Sequence, residues 1–441
     1  MTTDKDKKSM RANGNNNTKT TGISGVQPPC MFLESVKLER FKAAFRPDPL
    51  SLSPFAVLIG RNGSGKSTVL EALQWLDIAL RHDAVRACER YSGIHDLLNV
   101  RSRSQNTRYF KLFLDWSEKE ERETPAGKQN RLHARYEVRV NESVEGRPLI
   151  HSESLFVTER SGDDVEVIRT DSDGDRKTAG TRLLFPGDHD RQRMFDEPDR
   201  LALSRLSGGT YDGSPINATL EAIRRYWEGS VFLRLSPHRI AQGSPARRRS
   251  FDPLLDEEGQ SLPALLNELT TEQNRGLMDA MKTVLPDVRD ITVTGTNSTR
   301  EQNIYWSIRE KMPTGYAGTG TYEIPACMLS EGTRRLTAIL ALLMRRPPPS
   351  LLCIEEIENG LDPWTVLNVL AKLRGAPRQG TQIVLTSHSP WLLDHVELDA
   401  IRYVNRTGGN TRHSVFRSES AKRKFLASVP PGAQYVNLDQ G

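Results

Sequence analysis

The segment LLCIEEIENGLDP, Leu351–Pro363, carries an apolar run that stops on two adjacent glutamates. Carboxylates at the tip of a buried strand can hold a divalent cation and polarise a water molecule. By position, Glu355 would hold the metal through water, and Glu356 would act on the attacking water. Glu358 falls outside this pair and reads as a loop or helix-cap residue. A second segment says what such acids would act on. GRNGSGKS, Gly60–Ser67, satisfies every fixed position of G-x-x-x-x-G-K-[ST]. Gly63 and Gly65 let the backbone curl so that successive N–H groups meet phosphate oxygens, and a helix starting near Lys66 adds its dipole. Lys66 would reach the β- and γ-phosphates, while the Ser67 hydroxyl would ligate Mg²⁺. Gly60, Asn62, Ser64 and Thr68 complete the candidate cradle. No N/T-K-x-D follows, so ATP is expected rather than a guanine nucleotide.

Two further segments carry polar groups at the ends of apolar elements. QIVLTSHSP places His388 at a strand tip, where the next parallel strand of the same sheet would bring it beside the γ-phosphate. LSEGTRRLTAILALL sets Ser330, Gly332 and Thr333 at the start of an amphipathic helix. A hydroxyl and free N–H groups there can meet an anion, and Glu331 suits the helix dipole.

The elements that must position these groups follow from periodicity. SPFAVLIG is a short apolar strand before the glycine-rich loop, and STVLEALQWLDIAL after it has helical spacing. MFLESVKLERF alternates as a strand. RYFKLFLDW, RLHARYEVRV, LIHSESLFVTE and DVEVIRT predict an antiparallel sheet inserted after the first helix. Residues 171–215 read as containing a long loop. ATLEAIRRYW, LPALLNEL and NRGLMDAMKTVL predict short helices, with no sustained heptads for coiled-coil arms. A final α/β unit begins near Ile324 and closes on a hairpin around NRTGGN. The expected fold is therefore α/β, a mostly parallel sheet plus an antiparallel sheet and a helical insertion. The expected divisions are a disordered basic tail, 1–30; the N-terminal part of the core, 31–107; an insertion, 108–320; and the C-terminal part of the core, 321–441.

Composition narrows the class. The chain has 441 residues, 37% apolar and 27% charged, enough for two or three domain-sized units. No apolar run nears the roughly 18 residues of a membrane span, so a cytoplasmic protein is expected. Net charge is +5, and the first 29 residues hold five Lys/Arg against two Asp. That excess permits nucleic-acid contact without demanding it. Cys30, Cys88, Cys327 and Cys353 are scattered and form no metal-binding pair. DSDGD (Asp171–Asp175), Asp188–His189–Asp190 and Arg247–Arg249 read as solvated loops.

Taken in order, the phosphate loop, LSEGT, CIEEIENGLDP and TSHSP resemble the ATP-binding-cassette ATPase class, and within it the RecF/OLD-like branch of AAA-type ATPases. The resemblance covers about 31–75 and 324–395, and more weakly LSPHRI and LLDEEGQSLPALL. It implies a P-loop fold, ATP hydrolysis with Mg²⁺, and a composite site. Ser330 and Gly332 of a second subunit would close over the γ-phosphate, Asp362 would cross the interface, and His388 would sense the phosphate. One copy of each motif then implies a head-to-tail homodimer. Glu355 departs from the usual aspartate at the metal position. Gln105 is a candidate Q-loop residue, and Phe41 and Phe45 are candidates for stacking on adenine or for the core.

Three roles fit: a switch controlling a separate nuclease- or toxin-like effector, as in anti-phage or plasmid defence; a RecF-like DNA-repair ATPase; and a transporter motor. The long insertion disfavours the transporter. Only 53 residues follow His388, without D-x-D, so a TOPRIM nuclease is not expected in this chain. The switch is the favoured expectation.

Overall fold

A computed structural model describes residues 30–119, 131–158, 162–170, 181–184, 192–195, 197–205, 215–246, 252–295, 303–312, 320–417 and 429–438. The N-terminal tail up to residue 29, Asp171–Asp175, Asp188–Asp190 and Arg247–Arg249 lie outside the described residues.

Short apolar runs become strands buried on both faces. The central sheet has the order Ser230–Leu233, Leu351–Ile354, Gln382–Ser387, Phe55–Ile59, Ile401–Thr407 and Asn410–Val415. The first five strands are mutually parallel, and the last is the antiparallel arm of the closing hairpin. Successive side chains serve opposite cores. Ala56, Leu58, Leu351 and Cys353 face one hydrophobic cluster, while Val57, Ile59, Leu352 and Ile354 face the other. Two covered faces explain why these strands read as continuous apolar runs instead of alternating ones.

The first cluster joins this sheet to the helix Lys66–Arg81 and to an antiparallel sheet. That sheet runs from Leu50–Ser51 and Met31–Glu39 through Tyr109–Glu118, His133–Glu142, Pro148–Thr158 and Asp164–Thr170 to Thr181–Leu184 and Gln192–Phe195. The N-terminal strand, expected in the ATPase core, thus pairs with the antiparallel lobe, Val36 opposite Leu114. The two lobes are pinned by a buried amide. Gln382 donates from Nε2 to the Leu33 carbonyl at 2.8 Å, and its Oε1 accepts from the Leu33 N–H at 2.8 Å and from the Tyr226 hydroxyl at 2.9 Å.

The insertion 108–320 departs from expectation in two ways. Ser230–Leu233 returns to the central sheet as its edge strand. Four residues, three of them apolar, carry no period that separates a strand from the end of the preceding helix Pro215–Glu228. The part expected to be helical, after the antiparallel strands, also contains strands. Beside the helices Leu262–Glu268 and Thr271–Lys282 lies a small antiparallel sheet of Ser244–Pro245, Asn303–Lys311, Val288–Gly295 and Thr321–Pro325. These strands form because they bury Ile304, Trp306 and Ile308 against one another and the helices; Trp306 donates its indole N–H to the Ile240 carbonyl at 2.9 Å. Ile324 belongs to this sheet, so the final α/β unit starts after it. Two strands, Thr181–Leu184 and Gln192–Phe195, fall within the stretch expected to contain a long loop.

Candidate nucleotide-binding site

Register across the central sheet aligns the strand ends. Ser387 pairs with Ile59, and Ile354 with Leu385, so Gly60, Glu355 and His388 emerge at the same edge. The phosphate loop bends through two left-handed glycines, Gly63 at φ 76° and Gly65 at φ 108°. L-residues with a Cβ rarely enter that region. Gly60 is needed for a different reason, because a Cβ there would fall 2.0 Å from the Val404 carbonyl oxygen. Lys66 is buried, and its Nζ donates to the carbonyls of Gly60 at 2.5 Å and Arg61 at 3.1 Å. Asn62 and Ser67 are exposed, whereas Ser64 and Thr68 are buried. Ser64 Oγ has no partner among the described residues.

The closing hairpin braces this loop. Thr411, fully buried, donates its hydroxyl to the Ser64 carbonyl at 3.0 Å. Asn410 accepts from the N–H groups of Phe45 at 3.0 Å and Arg46 at 3.2 Å. Motif reading missed both residues, since nothing local in NRTGGNTR announces that Thr411 meets the phosphate loop or that Asn410 meets the Phe45–Arg46 backbone.

At the acidic strand end, Glu355 is held by its N–H bonding the Leu233 carbonyl at 2.9 Å, and its carboxylate lies 3.5 Å from Arg234 Nε. Glu356 takes a left-handed backbone, φ 47°. Such a conformation for a non-glycine costs on the order of 1 kcal/mol and needs fixing by its surroundings. Thr386 supplies that, accepting the Glu356 N–H on Oγ1 at 3.0 Å, while Asn359 Nδ2 donates to the Glu356 carboxylate. His388 Nδ1 lies 3.9 Å from Glu356 Oε1 and 3.7 Å from Glu358 Oε1. Glu358 is not a helix cap. Its Oε1 accepts from Ser387 Oγ at 2.8 Å and from the His388 N–H at 3.1 Å. The cap of the helix Pro363–Gly375 is Asp362, whose Oδ1 accepts the Thr365 N–H at 3.0 Å. The Thr365 hydroxyl and backbone N–H hold the Asp362 carboxyl below its ordinary range.

Ser330 caps the helix Glu331–Met344, accepting the Thr333 N–H at 3.1 Å, and is exposed. Gly332 sits against the turn that follows the acidic strand, where its added Cβ would lie 2.8 Å from the Gly360 carbonyl oxygen. Ser330–Gly332 and the Gly360–Asp362 turn thereby lie in close contact.

Ser67, Glu355, Glu356 and Asn359 line one open cleft of about 860 Å³. Arg90, Arg234 and Arg335 enter the same cleft, as do Glu257 and Glu258. A hydroxyl and carboxylates facing a common space are hard oxygen donors that suit Mg²⁺, which usually takes one or two carboxylates and completes its shell with phosphates and water. Among the described residues no cluster of three or more His, Cys, Asp or Glu could hold a metal by itself, and such a shell does not require one.

A family described as "AAA domain, putative AbiEii toxin, Type IV TA system" matches residues 55–178 and 278–394, more than half of the chain. The chain belongs to this AAA family. The matched segments of this AAA-family chain carry the phosphate loop, Ser330, the acidic strand end and His388. The stretch between them contains the edge strand and the Asp256–Glu258 side of the cleft. Among solved structures, an SMC head bound to the C-terminal winged-helix domain of ScpA is similar at 16% identity and TM-score 0.51, covering 87% of this chain and 97% of that one. The SMC head domain of Thermotoga maritima is similar at 14% identity and TM-score 0.38, covering 87% and 98%. The fold of this AAA-family protein is that of an ABC-type P-loop ATPase. No curated protein sequence matches the chain significantly.

The remaining candidates are placed as follows. Phe41 is fully buried and packs edge-on against Phe110 at 5.2 Å, so it belongs to the core and cannot stack on a base. Phe45 is half-buried among the guanidinium groups of Arg40, Arg46 and Arg101, at 5.5, 5.6 and 5.9 Å. Gln105 ends the short helix Val100–Ser104 and is exposed. Among the described residues no helix is long and apolar enough to cross a membrane.

Proposed function

We propose that this AAA-family ATPase hydrolyses ATP with Mg²⁺ and acts as a switch, two copies closing head-to-tail around the nucleotide to control a separate nuclease- or toxin-like effector in anti-phage defence. In this reading Lys66 and the loop amides bind the phosphates, Ser67 and Glu355 hold the metal, Glu356 orients the attacking water, and His388 meets the γ-phosphate. Ser330 and Gly332 serve the partner's nucleotide, and Asp362 lies between the subunits.

The observation that carries the reading is the pairing of two surfaces within one chain. Phosphate loop, acidic strand end and His388 converge at one sheet edge, while exposed Ser330 lies beside Gly332, which packs against the turn leading to exposed Asp362. One copy of each makes a shared site the natural assembly. The toxin–antitoxin wording of the family description supports the effector side of the reading.

The test is Glu356→Gln in size-exclusion chromatography with light scattering. The variant should accumulate as an ATP-bound dimer and turn over at least about a hundredfold more slowly. A chain that stays monomeric with saturating ATP contradicts the shared site. Filter binding to DNA across a salt series decides the role, since tight, ATP-dependent and steeply salt-sensitive binding would favour a DNA-repair ATPase instead.

A further inference from the structure

We propose that Glu358 is a positioning residue that aims His388 at the terminal phosphate of the bound nucleotide; the role rests on the ATPase reading above. The carboxylate makes contacts in one direction. Oε1 accepts from the Ser387 hydroxyl at 2.8 Å and the His388 backbone N–H at 3.1 Å, and lies 3.7 Å from His388 Nδ1. A single oxygen therefore meets the backbone, the neighbouring side chain and the ring of the strand tip. Ser387 in turn accepts the Ser389 N–H at 3.0 Å, which fixes the chain as it leaves the strand. Oε2 is buried without a partner among the described residues, so packing does not use up this carboxylate.

The consequence for His388 is directional. Its ring is half-exposed, with Nδ1 turned towards Glu356 and Glu358. With Nδ1 on the side of the two carboxylates, Nε2 faces the opposite way, and that is the nitrogen left to donate to a phosphate oxygen. Ordering by a neighbouring carboxylate is the usual way an imidazole is held for such a contact. Glu358 also links two strand ends, because it follows Leu351–Ile354 and grips the end of Gln382–Ser387. Movement of either tip would reach the other through this side chain.

The experiment is a double-mutant cycle on the full chain. ATP turnover is measured for wild type, Glu358→Ala, His388→Ala and the double variant, with melting curves for each. Glu358→Ala is expected to lose about tenfold or more in kcat with KM for ATP within about twofold, and the double variant to be no slower than the slower single one. Glu358→Gln keeps an oxygen for Ser387 and the His388 N–H and should recover part of the loss; it replaces Glu358→Ala in the cycle if that variant does not fold. Additive losses, or a raised KM at unchanged kcat, would overturn the proposal.

A second readout does not need turnover. The His388 ring ¹⁵N resonances should shift on adding ATP in wild type and not in Glu358→Ala; an equal shift in both overturns the proposal. A wild-type chain that shows this ring response yet hydrolyses no ATP would refute the ATPase reading alone.

Discussion

Gly332 and Gly360 touch so closely that the carbonyl oxygen of the second occupies the space where the first would carry a side chain, 2.8 Å from an added Cβ. The neighbour is backbone and cannot swing away. Gly332→Ala must therefore push the start of the helix Glu331–Met344 off the turn at Gly360. The expected cost is about 1–3 kcal/mol of stability, read by urea denaturation. ATP-driven dimerisation should be lost even below the unfolding transition.

Thr411→Val removes one hydroxyl from behind the phosphate loop and preserves shape. The Ser64 carbonyl loses its 3.0 Å donor and the loop its brace. The expected loss is about 1–2 kcal/mol in stability, together with several-fold weaker binding of a fluorescent ATP analogue. Unchanged affinity at lowered stability would mean that the hairpin supports the fold but not the loop.

Gln382→Leu strips the pin between the two lobes. The Leu33 N–H and carbonyl and the Tyr226 hydroxyl would each be left buried without their amide partner. Unmade hydrogen bonds of buried groups cost about 1–3 kcal/mol each, so a loss of about 3–5 kcal/mol is expected in chemical denaturation. Val or Ile at this position should be no better, since the missing group is the amide.

Glu153 should make stability depend on pH. It lies buried in the antiparallel sheet and accepts from the N–H groups of Ala202 at 2.7 Å and Leu203 at 2.8 Å and from the Tyr136 hydroxyl at 2.9 Å. Burial outweighs those donors and pushes its carboxyl up to about 7. A carboxyl raised in the folded state holds its proton longer than in the unfolded chain. Its contribution is therefore greatest below the unfolded value near 4.5, falls as pH rises towards 7, and is level above. The whole span is on the order of 3 kcal/mol. Denaturation curves at stepped pH should show this slope in wild type, and Glu153→Gln should remove it.

Legibility in the sequence followed locality. Gly60–Ser67 and the helix Lys66–Arg81 form where the pattern puts them, since loop, strand and helix are contiguous and each obeys its own period. The buried strands ending at Glu355 and His388 were readable for the same reason. Ser230–Leu233 was not, because a four-residue strand has no period of its own and exists only by pairing with Leu351–Ile354. Glu358 reads as a loop or helix-cap residue and stands in the turn after the acidic strand; its partners sit on another strand, which no local window shows.

By itself the sequence determined the chemistry on offer: a loop able to wrap phosphates, paired acids at a strand tip, a histidine on the next strand, and a capped helix bearing Ser330. Those are properties of short segments, set by backbone freedom, side-chain type and spacing. Only the tertiary structure decided which groups act on which. Thr411 reaches Ser64 across 347 residues and Gln382 reaches Leu33 across 349, and such contacts leave no trace in any local window. They exist because the chain crosses the sheet edge several times, and burial there leaves each polar group one geometry in which it is satisfied.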